Sequence, residues 1–79
     1  MTRDEALAWL AQVFEEPAGN VRPDTPRDEI VGWDSLGVLT LMADLDEKFN
    51  LQLSENESKD MKSIKDLLAF LEKNGAVSA

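Results

Sequence analysis

One serine carries most of what this chain offers to chemistry. Ser35 stands in the run Gly32-Trp33-Asp34-Ser35-Leu36-Gly37, where a polar loop gives way to a strongly amphipathic helical segment. A serine in the first turn of a helix keeps its hydroxyl exposed, and free backbone N–H groups together with the helix dipole favour a phosphate there. The chain has no cysteine and no histidine, so it brings little nucleophilic or general-base equipment of its own. We therefore read Ser35 as a point of attachment, to which a reactive group is added through a phosphate.

Other chemistries fail on residue type and spacing. An activated serine nucleophile needs a positioned base, most often histidine. Asp34 is better suited to capping the helix than to acting as a base, and Lys48, Lys59, Lys62, Lys65 and Lys73 fall at solvated positions by pattern. The chain is accordingly expected not to be an enzyme. Asp44, Asp46 and Glu47 cluster, but a calcium loop begun at Asp44 would place Lys48 at its fifth position and Phe49 at its sixth, where glycine is required. Without a Cys/His pair no zinc site is expected, and no disulfide framework is available.

The elements that must position Ser35 can be read from apolar spacing and capping pairs. We expect one domain over residues 1–79, built from helices over about 3–16, 35–50, 55–60 and 64–74, with a loop over about 17–34. Thr2 and Glu5 form a capping-box pair at the start of the first helix, Ser54 and Glu57 another at the short third helix, and Ser63 and Asp66 a third at the last. The first helix carries the stripe Leu7, Leu10, Ala11, Phe14 and is stopped by Pro17 and Gly19. The last carries Ile64, Leu67, Leu68, Leu71 and stops at Asn74-Gly75. Three prolines punctuate the long loop, which is expected to be ordered, with Val21, Ile30 and Val31 anchoring it to the core and Trp33 as a partly buried strut. No stretch alternates with period two for long enough to make a strand, so the fold is read as all-α.

Composition narrows the partners. The chain has 79 residues, 43% of them hydrophobic, with 16 acidic against 8 basic side chains and a formal charge of −8. That charge repels nucleic acid and anionic membranes and suits partners with basic docking surfaces and a monomeric state. No apolar run is long enough to span a bilayer and no secretory h-region opens the chain, so no membrane insertion is expected and cytoplasm is the default.

The serine helix presents two apolar faces. At about 100° per residue, Val38, Leu41, Met42, Leu45 and Phe49 share one, the core stripe. Leu36, Leu39 and Ala43 fall on another, beside Thr40, Asp46 and Glu47. A surface helix needs only one apolar stripe, so the second, flanking Ser35, is a candidate docking surface.

Asp34-Ser35-Leu36, opening an amphipathic helix that ends in Asp46-Glu47-Lys48-Phe49, resembles an acyl carrier protein, and helix order, length and acidity extend the resemblance over nearly the whole chain. The resemblance implies a small four-helix bundle of three longer helices and one short one. It implies that a phosphopantetheinyl transferase moves 4′-phosphopantetheine from coenzyme A onto Ser35, with Asp34 orienting the helix start and Leu36 as the principal apolar contact. Leu39, Thr40, Ala43, Asp46 and Glu47 would continue the docking face for a ketosynthase or acyltransferase and for an acyl- or adenylate-forming loading enzyme. Val38, Leu41 and Met42 would line any space that shelters an acyl chain.

Two positions depart from the family pattern. Carriers of bacterial fatty acid synthesis usually have acidic residues where this chain has Gly37 and Thr40, and Gly37 is expected to loosen the helix start, at a cost of about 1 kcal/mol relative to alanine. The departures point to a carrier for a specialised fatty acid, lipid or polyketide pathway. The alternatives are an aminoacyl carrier of the D-alanyl or peptidyl type and an unmodified helical adaptor.

Overall fold

Four helices account for the regular structure in a computed structural model that describes residues 1–78: α1 (Arg3–Val13), α2 (Ser35–Phe49), α3 (Glu55–Asp60) and α4 (Ile64–Lys73). Two single turns of 3₁₀ helix, Ala18–Asn20 and Arg27–Glu29, interrupt the long loop. Among the described residues there is no strand, only an isolated antiparallel bridge between Pro26 and Ser63. The fold is all-α.

Three of the four helices start where a side chain accepts one of the orphan N–H groups. Thr2 and Glu5 form a full capping box, as do Ser54 and Glu57. Ser63 does not: its side chain makes no cap, and Asp66 instead accepts from the Lys62 N–H at 2.8 Å. The reason is tertiary. The bridge to Pro26 holds Ser63 extended, the Ile64 N–H donates to the Thr25 carbonyl at 3.0 Å, and the Asp66 N–H donates to the Ser63 carbonyl at 3.1 Å rather than to its hydroxyl.

α1 ends at Val13 rather than near residue 16. Phe14 leaves the helical conformation and Glu15 turns left-handed at φ 55°, which brings the chain round before Pro17. Its buried face is broader than the expected stripe: Ala6, Trp9 and Val13 join Leu10, Ala11 and Phe14, while Leu7 is only half-buried. Trp9 meets Phe49 edge-on, with ring centroids 5.8 Å apart, which ties α1 to the last turn of α2. Leu41 and Leu45 of α2 and Ile64, Leu67, Leu68 and Leu71 of α4 complete the interior.

The loop is fastened at Val21, Ile30 and Trp33, all nearly inaccessible. Val31 does the opposite of what was expected and is 87% exposed, because it and Gly32 form the tip of a turn closed by the Trp33 N–H, which donates to the Ile30 carbonyl at 3.0 Å. Trp33 is more than a partly buried strut. At 5% exposure it stacks on Phe14, centroids 5.1 Å apart and planes 14° from parallel.

Gly37 overturns the expectation of a loose helix start. A Cβ there would collide with the Gly32 carbonyl oxygen and lie 3.3 Å from the Phe14 ring, and a Cβ on Gly32 would collide with the Phe14 carbonyl. The three backbones stack directly, so glycine is required by close approach rather than tolerated in spite of helix propensity.

Two expected outcomes follow from these local arrangements. The Thr2 backbone N–H, and secondarily its hydroxyl, holds the Glu5 carboxyl below its ordinary value. A depressed folded value means the box helps α1 at pH above the ordinary glutamate range and releases it as pH falls through the lowered value. An NMR titration should find the Glu5 midpoint low, and Thr2→Ala, which removes the hydroxyl but keeps the backbone N–H, should move it only part of the way back up. Separately, Gly37→Ala should destabilise the fold by about 2 kcal/mol in urea unfolding despite the better helix former. Gly19→Ala, which meets open space, should stay within about 0.5 kcal/mol of the parent.

Candidate functional site

α2 begins where the Asp34 backbone is still extended and its carboxylate turns back to accept the Gly37 N–H at 2.8 Å. That bond engages Asp34 with the helix rather than with its neighbour. Ser35, the first helical residue, is exposed, and its hydroxyl has no hydrogen-bond partner among the described residues. The first intrahelical bond runs from the Val38 N–H to the Asp34 carbonyl at 2.9 Å. Asp34 caps Gly37, so the N–H groups of Ser35 and Leu36 remain as the open donors of the helix start.

Two open clefts flank this threshold. One, about 340 Å³, lies between the end of α1 and the first turn of α2 and is lined by Phe14, Glu15, Gly32, Asp34, Leu36 and Thr40 among others. The other, about 360 Å³, lies between α2 and α3. Ser35, Val38, Leu39 and Met42 line it from the serine helix, Glu55, Ser58 and Lys59 from α3, and Arg27 from the loop. A roomier hollow of about 550 Å³ in the long loop, edged by Asn20, Arg22 and Asp24, does not include Ser35 and has no part in its surroundings.

The residues read from the sequence separate across these surfaces. Leu36 and Leu39 are 71% and 62% exposed, and Thr40, Ala43, Asp46 and Glu47 are exposed with them. The Thr40 hydroxyl donates to the Leu36 carbonyl at 3.1 Å, within its own helix. Val38 and Met42 are half-buried and face the α2–α3 cleft, but Leu41 does not. It is sealed in the core at 1% exposure, since it follows Val38 by only three residues and its rotation carries it past the cleft wall. Leu39, expected on the docking face, is exposed there and also lines the edge of that cleft.

Arg27, Ser58 and Lys59 were missed altogether. Arg27 reaches the cleft from a loop whose charges alternate without pattern, and its partners lie more than thirty residues away. No local spacing reports such a contact.

An exposed serine hydroxyl, two open N–H donors, and a partly apolar cleft alongside fit a phosphate-linked arm. This is the build of a carrier domain. The model of a family described as phosphopantetheine attachment site matches residues 5–71. An acyl carrier protein of Helicobacter hepaticus is 30% identical over 92% of this chain and 96% of its own length. One from Acidothermus cellulolyticus is 28% identical, covering 100% of this chain and 98% of that one. The solution structure of a holo acyl carrier protein from Geobacter metallireducens superposes with a TM-score of 0.74 at 26% identity, covering 96% of this chain and 88% of the other.

The chain therefore belongs to the acyl carrier protein family, whose members are carriers rather than catalysts and hold 4′-phosphopantetheine covalently. They work with phosphopantetheinyl transferases and acyl-processing enzymes. No helix among the described residues is long and apolar enough to cross a membrane.

Proposed function

We propose that Ser35 is the attachment point for 4′-phosphopantetheine, transferred from coenzyme A in the cytoplasm, and that the loaded chain serves a specialised fatty acid, lipid or polyketide pathway. The observation that carries the reading is the exposed, unpartnered hydroxyl of Ser35 at a helix start whose Asp34 cap leaves two N–H groups open. When bound, the group supplies a terminal thiol on a flexible tether, the one functional group for acyl transfer that the chain lacks. The residues around it hold the phosphate end and leave the tether free. The open N–H groups and the helix dipole favour the anion, and Asp34 fixes the first turn so that the Ser35 oxygen points outward.

Leu36 and Leu39 offer the transferase, a loading enzyme and a ketosynthase or acyltransferase an apolar contact, with Thr40, Ala43, Asp46 and Glu47 around it. The specialised pathway rests on charge. At residue 37 a carboxylate would have to displace the Gly32 carbonyl, so the missing acid there is a consequence of packing. At residue 40 there is no such obstacle, and a neutral threonine occupies an exposed position. Acidic side chains on this face begin only at Asp46, near the far end of α2. Docking is then weighted towards apolar contact, with less electrostatic steering than a face acidic from its first turn.

Intact mass after incubation with coenzyme A, magnesium and a broad-specificity transferase should show one added phosphopantetheinyl group, absent in Ser35→Ala. Correctly folded protein that gains nothing would refute the attachment. Thr40→Glu should strengthen binding to a ketosynthase of ordinary fatty acid synthesis and steepen its salt dependence. Unchanged affinity at low salt would show that partners dock elsewhere.

A further inference from the structure

α3 forms one wall of the cleft beside Ser35, yet little of its own structure holds it there. It is six residues long, ENESKD, and Ser58 is its one buried residue. A helix so short has no stability of its own in water. Its N-terminus is closed by the Ser54–Glu57 box, and Leu53 and Met61 are buried on either side of it. Its C-terminal carbonyls are satisfied from across the cleft. Arg27 Nη1 donates to the Ser58 carbonyl at 2.9 Å and to the Met61 carbonyl at 3.2 Å, while the guanidinium lies over the Trp33 ring at 5.1 Å.

The stem of Arg27 is itself fixed. Its backbone N–H donates to the Lys62 carbonyl at 2.8 Å, next to the Pro26–Ser63 bridge. Trp33 in turn is stacked on Phe14. One planar cation thus connects the α3 wall to the aromatic stack beneath the serine helix.

We propose that Arg27 is a specificity-determining residue of the carrier: by clamping α3 to the Trp33–Phe14 stack it sets the width of the α2–α3 cleft, and so which acyl chains are sheltered against Val38, Leu39 and Met42. The proposal rests on the carrier reading above. A short apolar chain is covered by the three α2 side chains, while Arg27, Ser58 and Lys59 present a polar far wall to anything longer. Arginine is needed because one nitrogen, Nη1, reaches both carbonyls while the rest of the guanidinium stays over the indole, two places that a single ammonium cannot occupy together.

The test compares the parent with Arg27→Ala and Arg27→Lys. In the unloaded proteins, amide exchange of Asn56–Asp60 should accelerate about tenfold in Arg27→Ala, from the loss of two charge-assisted bonds, and by less in Arg27→Lys. Exchange in α1 and α4 serves as the control for global unfolding. The proteins are then loaded with an acetyl- or octanoyl-bearing arm, and thioester cleavage by hydroxylamine is followed by intact mass. In the parent the octanoyl thioester should survive about fivefold longer than the acetyl, and in Arg27→Ala that ratio should fall towards one.

A parent with no chain-length dependence, or an Arg27→Ala variant that keeps it, overturns the proposal. Equal acceleration in all helices does so as well, since it assigns Arg27 to general stability. Failure of the parent to accept the arm refutes the carrier reading instead. The clamp is then decided by exchange alone, and unaltered α3 protection in Arg27→Ala overturns it.

Discussion

The serine is held in place by a contact made mostly of backbone. Phe14, Gly32 and Gly37 bring three stretches of backbone into direct apposition: the end of α1, the last turn of the loop and the first turn of α2. Because no Cβ intervenes, the helix start is fixed relative to α1 by hard-sphere repulsion rather than by an adaptable side chain. Everything at the threshold inherits that rigidity. The Asp34 cap, the outward Ser35 oxygen and the exposed Leu36 stand one to three residues from the contact.

Around this seat the chain divides its work between a rigid and a loosely held side. α1, α2 and α4 share the continuous core of Leu10, Phe14, Leu41, Leu45, Leu67 and Leu71. α3 is held mainly by its ends and by one arginine. The side facing α1 is thus closed by packing, whereas the side facing α3 is closed by hydrogen bonds, which open at lower free energy.

Much of this was legible in the sequence, and what was not fails for identifiable reasons. The helix order and the alternation of buried and exposed positions along α2 follow from periodicity, as does the exposed position of Ser35 behind its Asp34 cap. Periodicity describes one helix at a time, so it does not say which neighbour a face meets. For that reason Leu41, expected at the cleft, lies in the core, and Leu39 reaches the cleft edge as well as the exposed face. Gly37 read as a weak point because propensity counts only its own helix, whereas its role comes from Gly32 and Phe14. Val31 was misjudged because a local turn sets it outward, and Ser63 because the distant Thr25 carbonyl and the Pro26 bridge hold the start of α4. Arg27 was invisible because its acceptors, two backbone carbonyls, leave no mark on residue type.

The two tryptophans bracket the serine helix. Trp9 rests edge-on against Phe49 at its last turn, and Trp33 lies beside its first turn, between Phe14 and the Arg27 guanidinium. Both indole nitrogens are sealed from solvent and lack an acceptor. The chain has therefore labelled each end of the same rod with its own chromophore, in distinct electronic surroundings. Replacing one or the other leaves a single emitter, so the near and far ends of the helix can be watched separately by light, with no dye and no added cysteine.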